Sequence, residues 1–392
     1  MIPFEEALEI VLNNAVPLGE EMLGMDSAAG RVLSRDVFSD IDMPPFDKSA
    51  VDGFACRMQD VVCGMELRRV ETIPAGTVPA NPVHEGECSK IMTGGMLPLG
   101  ADTVIMVEDT EMSSADHIKF IKENTDRNIC YRAEDIKKGQ KVLEKGTRLE
   151  PAHFAVLASV GNTAIWIARQ PHIGIISTGN ELVEPEQLPS RSQIRNSNAC
   201  QLVAQARQIP ALCSYFGIAD DSPEELKDKI SVGLYEADIV ILTGGVSMGD
   251  FDYVPAAMES LGAKILFKSI AIQPGRPTVF ARYNKQFIFG LPGNPVSSFV
   301  LFELMVKPFV LKMMGCNERP RVLKLPMGVD FSRRKTSRKS VIPVNVDDGA
   351  VYPLEYHGSA HINAYTKAGG MMIMDIGQTD IKKGEPASVR LL

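Results

Sequence analysis

Hydrophobic positions in the first 170 residues follow two different periods. Residues 3–14 repeat apolar side chains at helical spacing, with acids in the first turn, which predicts an amphipathic helix. Residues 31–38 alternate apolar and polar side chains and predict a strand. From about residue 50 to 136, short alternating runs between turn residues predict a small β domain, and residues 150–160 return to a helical pattern. We therefore expect the β segment to be inserted between two parts of one helical domain.

Strand and helix patterns alternate from about residue 172 onward. Apolar runs predict strands at 172–178, 212–218, 237–242, 278–281 and 286–289. We expect Asn198 and Ser222 to cap the helices that follow two of these strands. A long apolar helix is predicted to begin at Asn294-Pro295. This alternation predicts a doubly wound, mainly parallel sheet.

After about residue 317 the helical pattern stops, and short extended runs predict a separate C-terminal β barrel or sandwich. The predicted fold class is thus a multidomain α/β plus β chain. The predicted domains are a helical linker domain at 1–39 and 137–170, an inserted β domain at 40–136, an α/β domain at 171–316 and a C-terminal β domain at 317–392.

Composition narrows the function classes. The 392 residues carry a formal net charge of -8, so no basic footprint of a nucleic-acid-binding protein is expected. Seven cysteines form no CxxC pair, which argues against a disulfide framework and a structural zinc site. The N-terminus lacks a basic signal-peptide region, and no apolar run is long enough to span a membrane. We expect a cytoplasmic protein that binds neither nucleic acid nor membrane.

Glycine-rich turns with acidic neighbours follow the predicted strands. Residues 243–252 (TGGVSMGDFD) join a strand to a helix, where backbone N–H groups can approach an anion. Asp250 and Asp252 would repel a bare phosphate and fit better with Mg²⁺ between protein and phosphate. The alternative is a glycine turn that serves helix packing alone.

Two further turns are expected at the same edge of the sheet. Residues 177–182 (STGNEL) place Glu181 where it could hold a metal or accept a ring N–H, and Asp220-Asp221 closes another strand. Both acidic groups are also explained by helix capping or by an ordinary turn. Residues 291–297 (LPGNPVS) could wall a pocket rigidly, although helix-start chemistry already accounts for them.

Basic residues occur beside a stiff turn and in the C-terminal part. Residues 273–277 (QPGRP), with Lys268 upstream, place positive charge beside a stiff turn, which favours binding of an oxyanion. The basic run at 333–339 includes Arg338, and such a run is more often a solvated face. The structure-free loop at 44–53 and the MTGG turn at 92–95 are further candidates, against the alternative of domain-connecting turns. No catalytic histidine pair, GxSxG elbow or Walker A motif occurs.

Seven stretches of the chain together resemble the molybdopterin molybdotransferase family, which comprises bacterial MoeA, the plant and animal E domains, and gephyrin. They are PPFDKSAVDGFA, MTGG, GADTVIMVE, STGNEL, GGVSMGDFDYV, PGRP and LPGNPVS, and they occur in the family's order and spacing over essentially the whole chain. The resemblance implies a linker domain in two pieces, an inserted β domain, an α/β domain like that of molybdopterin adenylyltransferases (MogA-like), and a C-terminal β barrel.

The same resemblance implies a homodimer whose active cleft combines the α/β domain of one subunit with the β domain of the other. The implied reaction takes molybdopterin-AMP and molybdate and yields molybdenum cofactor and AMP, with Mg²⁺ as cofactor. Implied protein partners are a molybdopterin adenylyltransferase and proteins that accept the cofactor.

Functional positions of the family carry over one by one. The implied catalytic residues are Asp52, Thr93, Glu181, Asp220 and Asp252, of which Glu181 and Asp252 would bind the metal. The implied pterin and phosphate ligands are Ser177, Thr178, Gly179, Gly244, Gly245, Ser247, Pro292 and Pro295. The implied molybdate ligands are Gln273, Pro274, Arg276, Arg338 and Ser359.

One departure from the family pattern concerns Gln273, where the family commonly has a lysine. Glutamine donates a hydrogen bond without a charge, so we expect Arg276 or Lys268 to compensate, or molybdate to bind more weakly. Two other functions remain open at this point: a molybdopterin adenylyltransferase that uses ATP, and a non-catalytic scaffold of the gephyrin type.

Overall fold

A computed structural model describes residues 1–246, 253–356 and 358–392. The chain forms two compact units. One comprises Met1–Arg35, Lys145–Pro151 and Ala164–Leu392, and the other comprises Asp36–Glu144 and Ala152–Thr163. The finer division into four domains stays a prediction.

Short strands dominate the first 144 residues. In chain order the elements are α1 (Phe4–Asn13), β1 (Glu20–Gly24), β2 (Val37–Phe38), β3 (Lys48–Ser49), β4 (Gly53–Cys56), β5 (Glu66–Ile73), β6 (Glu87–Ile91), β7 (Thr103–Met106), β8 (Thr110–Met112), β9 (His117–Phe120), β10 (Ile129–Cys130) and β11 (Lys141–Leu143).

Strands and helices alternate through the next segment. The elements are α2 (Pro151–Ser159), β12 (Ala164–Ala168), β13 (His172–Thr178), β14 (Leu182–Val183), β15 (Ile194–Arg195), α3 (Ser197–Ala206), β16 (Leu212–Ala219), α4 (Pro223–Glu236), β17 (Ile239–Thr243), α5 (Val254–Ser260), β18 (Lys264–Phe267), β19 (Ile272–Gln273), β20 (Val279–Tyr283), β21 (Gln286–Leu291), α6 (Pro295–Leu301) and α7 (Lys307–Met313).

The C-terminal part is extended apart from a 3-10 helix at Ile362–Lys367. Its strands are β22 (Val322–Pro326), β23 (Phe331–Ser332), β24 (Lys339–Asp347), β25 (Ala350–Pro353), β26 (Gly370–Met374), β27 (Asp380–Ile381) and β28 (Pro386–Leu391).

The unit around residues 36–144 contains a six-stranded sheet in the order β7-β4-β6-β5-β9-β8. Strands β5, β6, β7 and β9 lie on alternating runs, as predicted, whereas β4 and β8 were not predicted. Gly53 sits where β4 passes β7 so closely that an added Cβ would lie 2.0 Å from the carbonyl oxygen of Ile105. The sheet therefore requires glycine directly after Asp52, which fixes the end of that candidate loop.

The predicted strand at 31–38 is wrong over most of its length. Only Val37–Phe38 forms a strand, whereas Val32 and Leu33 make single bridges to Arg148 and Ile167. Val32 and Leu33 are nearly fully buried, so their spacing reflects burial against two different partners rather than one ladder.

The other unit contains a six-stranded sheet in the order β16-β13-β17-β21-β20-β18. The first four strands are parallel, and β20 and β18 complete the sheet in antiparallel pairing. The prediction of a mainly parallel α/β sheet is confirmed. The parallel strands place the turns that follow β13, β17 and β21 side by side at one edge of the sheet.

Side chains on the parallel strands alternate between two apolar cores. One core, shared with α3, α6 and α7, contains Ile173, Ile175, Ile239, Ile241, Phe287 and Phe289. The other, shared with α4 and α5, contains Ile176, Val240, Leu242 and Ile288. The period of two along each strand buries both faces of the sheet, as a doubly wound fold requires.

The long apolar helix begins at Pro295 as predicted, but its middle is a π-helical segment, Phe302–Val306, before α7. Pro308 lies just beyond this segment and has no N–H to donate to the preceding turn. A wider turn accommodates that missing donor without ending the helix.

The C-terminal strands form a sheet in the order β19-β24-β26-β28-β22, with β25 paired to β24. Its closure into a barrel stays a prediction. Strand β19 pairs with β24 through Gln273 and Ser340, so the turn after β19 is held against this sheet. Across the described ranges, no helix combines the length and apolarity needed to cross a membrane.

Candidate active site

The turns after β13 and β17 are in direct backbone contact. Gly244 has φ +105°, and an added Cβ there would lie 2.4 Å from the carbonyl oxygen of Thr178. The Gly244 N–H donates to the Leu291 carbonyl at 3.0 Å, which joins the turn after β17 to the end of β21. Glycine is required here because the φ value and the approach of Thr178 both exclude a side chain.

Ser177, a predicted pterin or phosphate ligand, has a fully buried side chain. Its hydroxyl donates to Asn196 Oδ1 at 3.0 Å, and Asn196 Nδ2 donates to the Tyr215 hydroxyl at 2.8 Å. Tyr215 in turn donates to Glu184 at 2.9 Å. Burial and the bond to Glu184 raise the pKa of Tyr215 well above its ordinary range. The Ser177 side chain is thus used in an internal network, and its backbone pairs with β16 and β17, so its role as a ligand stays a prediction.

Asn198 was expected to cap α3, and this prediction is wrong. The cap is Asn196, whose Oδ1 accepts from the Ala199 N–H. Asn198 lies in the first turn of α3 and donates from Nδ2 to Thr243 Oγ1 and to the Gly293 carbonyl, both at 2.8 Å. One amide therefore joins the turns after β17 and β21.

An acidic edge follows β13 and β16. The carboxylate of Glu181 occupies the space beside Gly179, where an added Cβ would lie 2.4 Å from Oε2. Asn180 and Asp221 exchange backbone-to-side-chain bonds at 3.3 and 3.0 Å, which ties the two turns together. Glu181 and Asp220 are exposed at this edge.

The predicted sites Ser247 and Asp252 lie outside the described residues. Within the described ranges, no three histidine, cysteine or acidic side chains are grouped so that they could hold a metal ion. The Mg²⁺ site formed by Glu181 and Asp252 therefore stays a prediction.

A cavity of about 340 Å³ lies between the α/β sheet and the C-terminal sheet of the same unit. It collects all five predicted molybdate ligands and one predicted wall residue. The lining residues are Gln273, Pro274, Gly275, Arg276, Pro277, Pro292, Asn294, Ser297, Arg338, Tyr356, Gly358 and Ser359. Pro295, the other predicted wall residue, opens α6 beside it.

The described lining of this cavity carries two guanidinium groups and no carboxylate. Arg338 Nη2 donates to Gln273 Oε1 at 3.4 Å, and Asn294 Nδ2 donates to Ser359 Oγ at 2.9 Å. Lys268, named as a possible substitute for the missing lysine, pairs with Glu259 at 2.9 Å and does not line the cavity. Of the two expected compensating cations, the cavity contains Arg276.

Other members of the basic run at 333–339 have structural contacts. Arg333 donates to the carbonyls of Arg338 and Gln378 at 2.9 and 2.8 Å, and partial burial lowers its pKa. Lys339 bridges Glu5 and Asp375. Arg338 is thus the member of the run whose guanidinium faces the cavity.

The other unit contains the remaining predicted catalytic residues. Thr93 donates to Asp52 Oδ1 from its backbone N–H at 2.6 Å and from Oγ1 at 3.0 Å. These two bonds hold the pKa of Asp52 below its ordinary value, the backbone bond having the larger effect. Asp52 is consequently an exposed, ionised carboxylate with one oxygen fixed by Thr93.

Sequence reasoning did not name three residues of these arrangements as site residues. Tyr356 lines the cavity, and no local motif marks it. Asn294 had been explained as a helix start, and Asn198 as a cap. Both carry a side-chain amide that bonds a distant segment, and sequence position alone does not distinguish such an amide from a cap.

Comparisons with known proteins cover nearly the whole chain. The family description "MoeA N-terminal region (domain I and II)" matches residues 2–161, and "Probable molybdopterin binding domain" matches residues 174–312. A molybdopterin molybdenumtransferase of Staphylococcus epidermidis is 33% identical over 100% of this chain and 95% of that protein. The chain belongs to the MoeA family of molybdopterin molybdenumtransferases.

Further relatives support this membership. A molybdopterin molybdenumtransferase of Staphylococcus aureus is 31% identical, again over 100% of this chain and 95% of that protein. The crystal structure of the molybdopterin biosynthesis MoeA protein from Pyrococcus horikoshii superposes with a TM-score of 0.86 at 29% identity, covering 100% of both chains. The family and the enzyme class predicted from the motifs are confirmed.

Proposed function

We propose that this chain inserts molybdenum from molybdate into molybdopterin-AMP and releases AMP, with Mg²⁺ as cofactor. The observation that carries the proposal is the cavity where Arg276 and Arg338 meet Gln273 and Ser359 without a carboxylate among the described lining residues. Membership of a family whose relatives are named molybdopterin molybdenumtransferases supports the same reaction.

The cavity's charge suits a small dianion. Molybdate and a phosphoanhydride repel each other by about 1 kcal/mol per charge pair at ~4 Å in water, and by more at a partly buried site. Arg276 and Arg338 offset this repulsion, and the amides and hydroxyls of Gln273, Asn294 and Ser359 supply hydrogen bonds of fixed direction. A cavity of about 340 Å³ also exceeds one tetrahedral oxyanion, which leaves room for part of the second substrate.

The pterin and phosphate part of the substrate is assigned to the turns after β13, β17 and β21. Gly179, Gly244 and Gly245 have positive φ values, which glycine adopts without strain, and these values shape the turns after β13 and β17. Thr178 lies against Gly244 and Gly245, so the three glycines and Thr178 form one surface. Backbone N–H groups at such turns bind anionic oxygen without a charged side chain.

Glu181 is the described residue assigned to Mg²⁺, with Asp252 as its predicted partner. The chemistry fits because Glu181 is an exposed oxygen donor beyond a strand end, and Mg²⁺ binds one or two carboxylates together with substrate phosphates and water. Mg²⁺, when bound, would polarise the phosphoanhydride and promote loss of AMP. Asp220 directly follows β16, the strand next to β13.

The proposal includes a homodimer in which Asp52 and Thr93 of one subunit complete the site of the other. The support for this part is chemical. Thr93 holds the ionised carboxylate of Asp52 on an exposed loop, and in the described structure this carboxylate forms no ion pair. An oriented acid of this kind serves a site elsewhere, as a loop on a rigid sheet often does.

Purified protein should release AMP from molybdopterin-AMP only when molybdate is added. The control reaction supplies ATP and molybdopterin instead. Formation of molybdopterin-AMP from ATP would favour an adenylyltransferase, and AMP release independent of molybdate would also contradict the proposal. Loss of AMP release in Asp220→Asn or Glu181→Gln, with unchanged folding, would separate an enzyme from a scaffold.

A further inference from the structure

Asn198 holds the first turn of α3 against two ligand-binding turns at once. Its Nδ2 donates to Thr243 Oγ1 and to the Gly293 carbonyl, each at 2.8 Å. Thr243 ends β17 and directly precedes Gly244, while Gly293 lies in the turn after β21. Both hydrogen atoms of one amide are thereby used on two neighbouring turns.

The two turns also touch each other. A Cβ added to Gly293 would lie 3.5 Å from the Gly244 Cα atom, and Thr243 Oγ1 donates to the Pro292 carbonyl at 3.4 Å. The Thr243–Pro292 bond is long, whereas the Gly244 N–H donates to the Leu291 carbonyl at 3.0 Å and links the ends of β17 and β21 directly. The two bonds from the Asn198 amide, each at 2.8 Å, add to this backbone bond and tie both turns to α3.

The orientation of the amide is fixed by its surroundings. If the amide were flipped, its oxygen would face the Gly293 carbonyl, and two acceptors would oppose each other. In the observed orientation Oδ1 is buried and has no partner among the described residues. A buried acceptor without a partner costs stability, and such groups in folded proteins are associated with functional sites.

We propose that Asn198 is a positioning residue that holds the turns at 243–246 and 291–294 in place against α3, and that binding of molybdopterin-AMP depends on this placement. The expected effect on KM rests on the proposed function, whereas the role of Asn198 in holding the two turns does not. Asn198 acts through Thr243 and Gly293 and does not itself take part in the reaction.

Asn198→Asp is the sharpest variant, because it keeps the shape and removes both donors. Hydrogen–deuterium exchange should become faster in residues 243–246 and 291–294 together. KM for molybdopterin-AMP should rise on the order of ten-fold while kcat changes little, as expected when binding common to ground and transition states is lost. Thr243→Val removes one of the two acceptors and should produce a smaller change of the same kind.

Gln205→Ala is the matched control. Gln205 lies on the same helix and also donates twice from one amide, to the Phe299 carbonyl at 3.2 Å and to Glu303 at 3.0 Å, away from both turns. It should lower the melting temperature without faster exchange at the turns and without a higher KM.

Unchanged exchange at the turns in Asn198→Asp, or an equal change in Gln205→Ala, would overturn the assignment of Asn198. A wild-type protein without molybdate-dependent AMP release would instead refute the proposed function, and the exchange experiment would still decide the role of Asn198.

Discussion

Arg338 Nη2 donates to Gln273 Oε1 at 3.4 Å across the wall of the candidate oxyanion cavity. The bond joins the residue before β24 to the end of β19, two strands that also pair through Gln273 and Ser340. A neutral acceptor thus occupies one donor of Arg338. The effective charge presented to an oxyanion depends on this pair.

Gln273→Lys should lower the molybdate concentration for half-maximal AMP release on the order of five-fold, because a charge-assisted bond is about twice as strong as a neutral one. The substitution also places two cations together in the free protein, so the melting temperature should fall slightly and recover when molybdate is added. Gln273→Met, which removes the amide without adding charge, is the control and should raise the half-maximal concentration. An unchanged or higher value in Gln273→Lys would remove Gln273 from the oxyanion site.

Gly244→Ala should lower the free energy of unfolding by more than Gly262→Ala does. The φ values of Gly244 and Gly262 are +105° and +87°, and an alanine in such a conformation costs about 1–3 kcal/mol. At Gly262 an added Cβ meets nothing within 4 Å, whereas at Gly244 it meets the Thr178 carbonyl at 2.4 Å. Urea unfolding of the two alanine variants compares them directly. Equal losses would mean that Thr178 does not constrain the turn.

The pKa of Asp52 should respond to Thr93. Thr93→Val removes the hydroxyl donor and keeps the backbone donor, so the pKa should rise but stay below the ordinary aspartate value. Carboxyl ¹³C NMR titration measures this, with Thr77→Val as a control on the same unit. A wild-type midpoint at the ordinary value would contradict the fixed geometry of the pair.

The same shift has a consequence for stability. The folded-state pKa of Asp52 is below that of the unfolded chain, so its contribution is full above the unfolded value and is lost as pH falls through the folded value. The free-energy difference between wild type and Thr93→Val should therefore be present at neutral pH and disappear in acid.

Mixing two inactive variants tests whether subunits share a site. Asp52→Asn and Glu181→Gln should each be inactive as homodimers. If Asp52 serves the partner's site, randomly exchanged subunits recover about a quarter of the wild-type activity, because half of the dimers contain one intact site. Activity that stays at the level of the single variants after subunit exchange would place both residues in the same subunit's site or outside it.

Local patterns were sufficient to predict much of the fold. The alternation of Ile173, Ile175 and Ile176 between two cores follows from side-chain geometry on a strand, and Ser222 caps α4 as expected. The π-helical turn before Pro308 was not predicted, because its apolar spacing matches an α-helix. The choice between Asn196 and Asn198 as a cap depends on contacts with Tyr215 and Gly293, which are distant in sequence.

The candidate site was predictable as a set of motifs but not as a geometry. Arg333 and Arg338 lie in one basic run, and the sequence does not distinguish which of them belongs to the site. The donors of Arg333 are used on backbone carbonyls, whereas Arg338 lines the cavity. Lys268 precedes the QPGRP turn, yet it pairs with Glu259. The pairing of β19 with β24 brings Arg338 beside Gln273, and no local pattern in the sequence predicts this pairing.

The most direct test of the account is molybdate binding measured by isothermal titration calorimetry with Arg338→Gln and Arg334→Gln. Both variants lose one positive charge, but Arg338 lines the cavity and Arg334, an exposed residue of the same basic run, does not. Arg338→Gln should weaken molybdate binding about ten-fold or more, as expected for a charge-assisted bond, while Arg334→Gln should leave it within about two-fold of wild type. Equal affinities in the two variants would contradict the assignment of this cavity to molybdate.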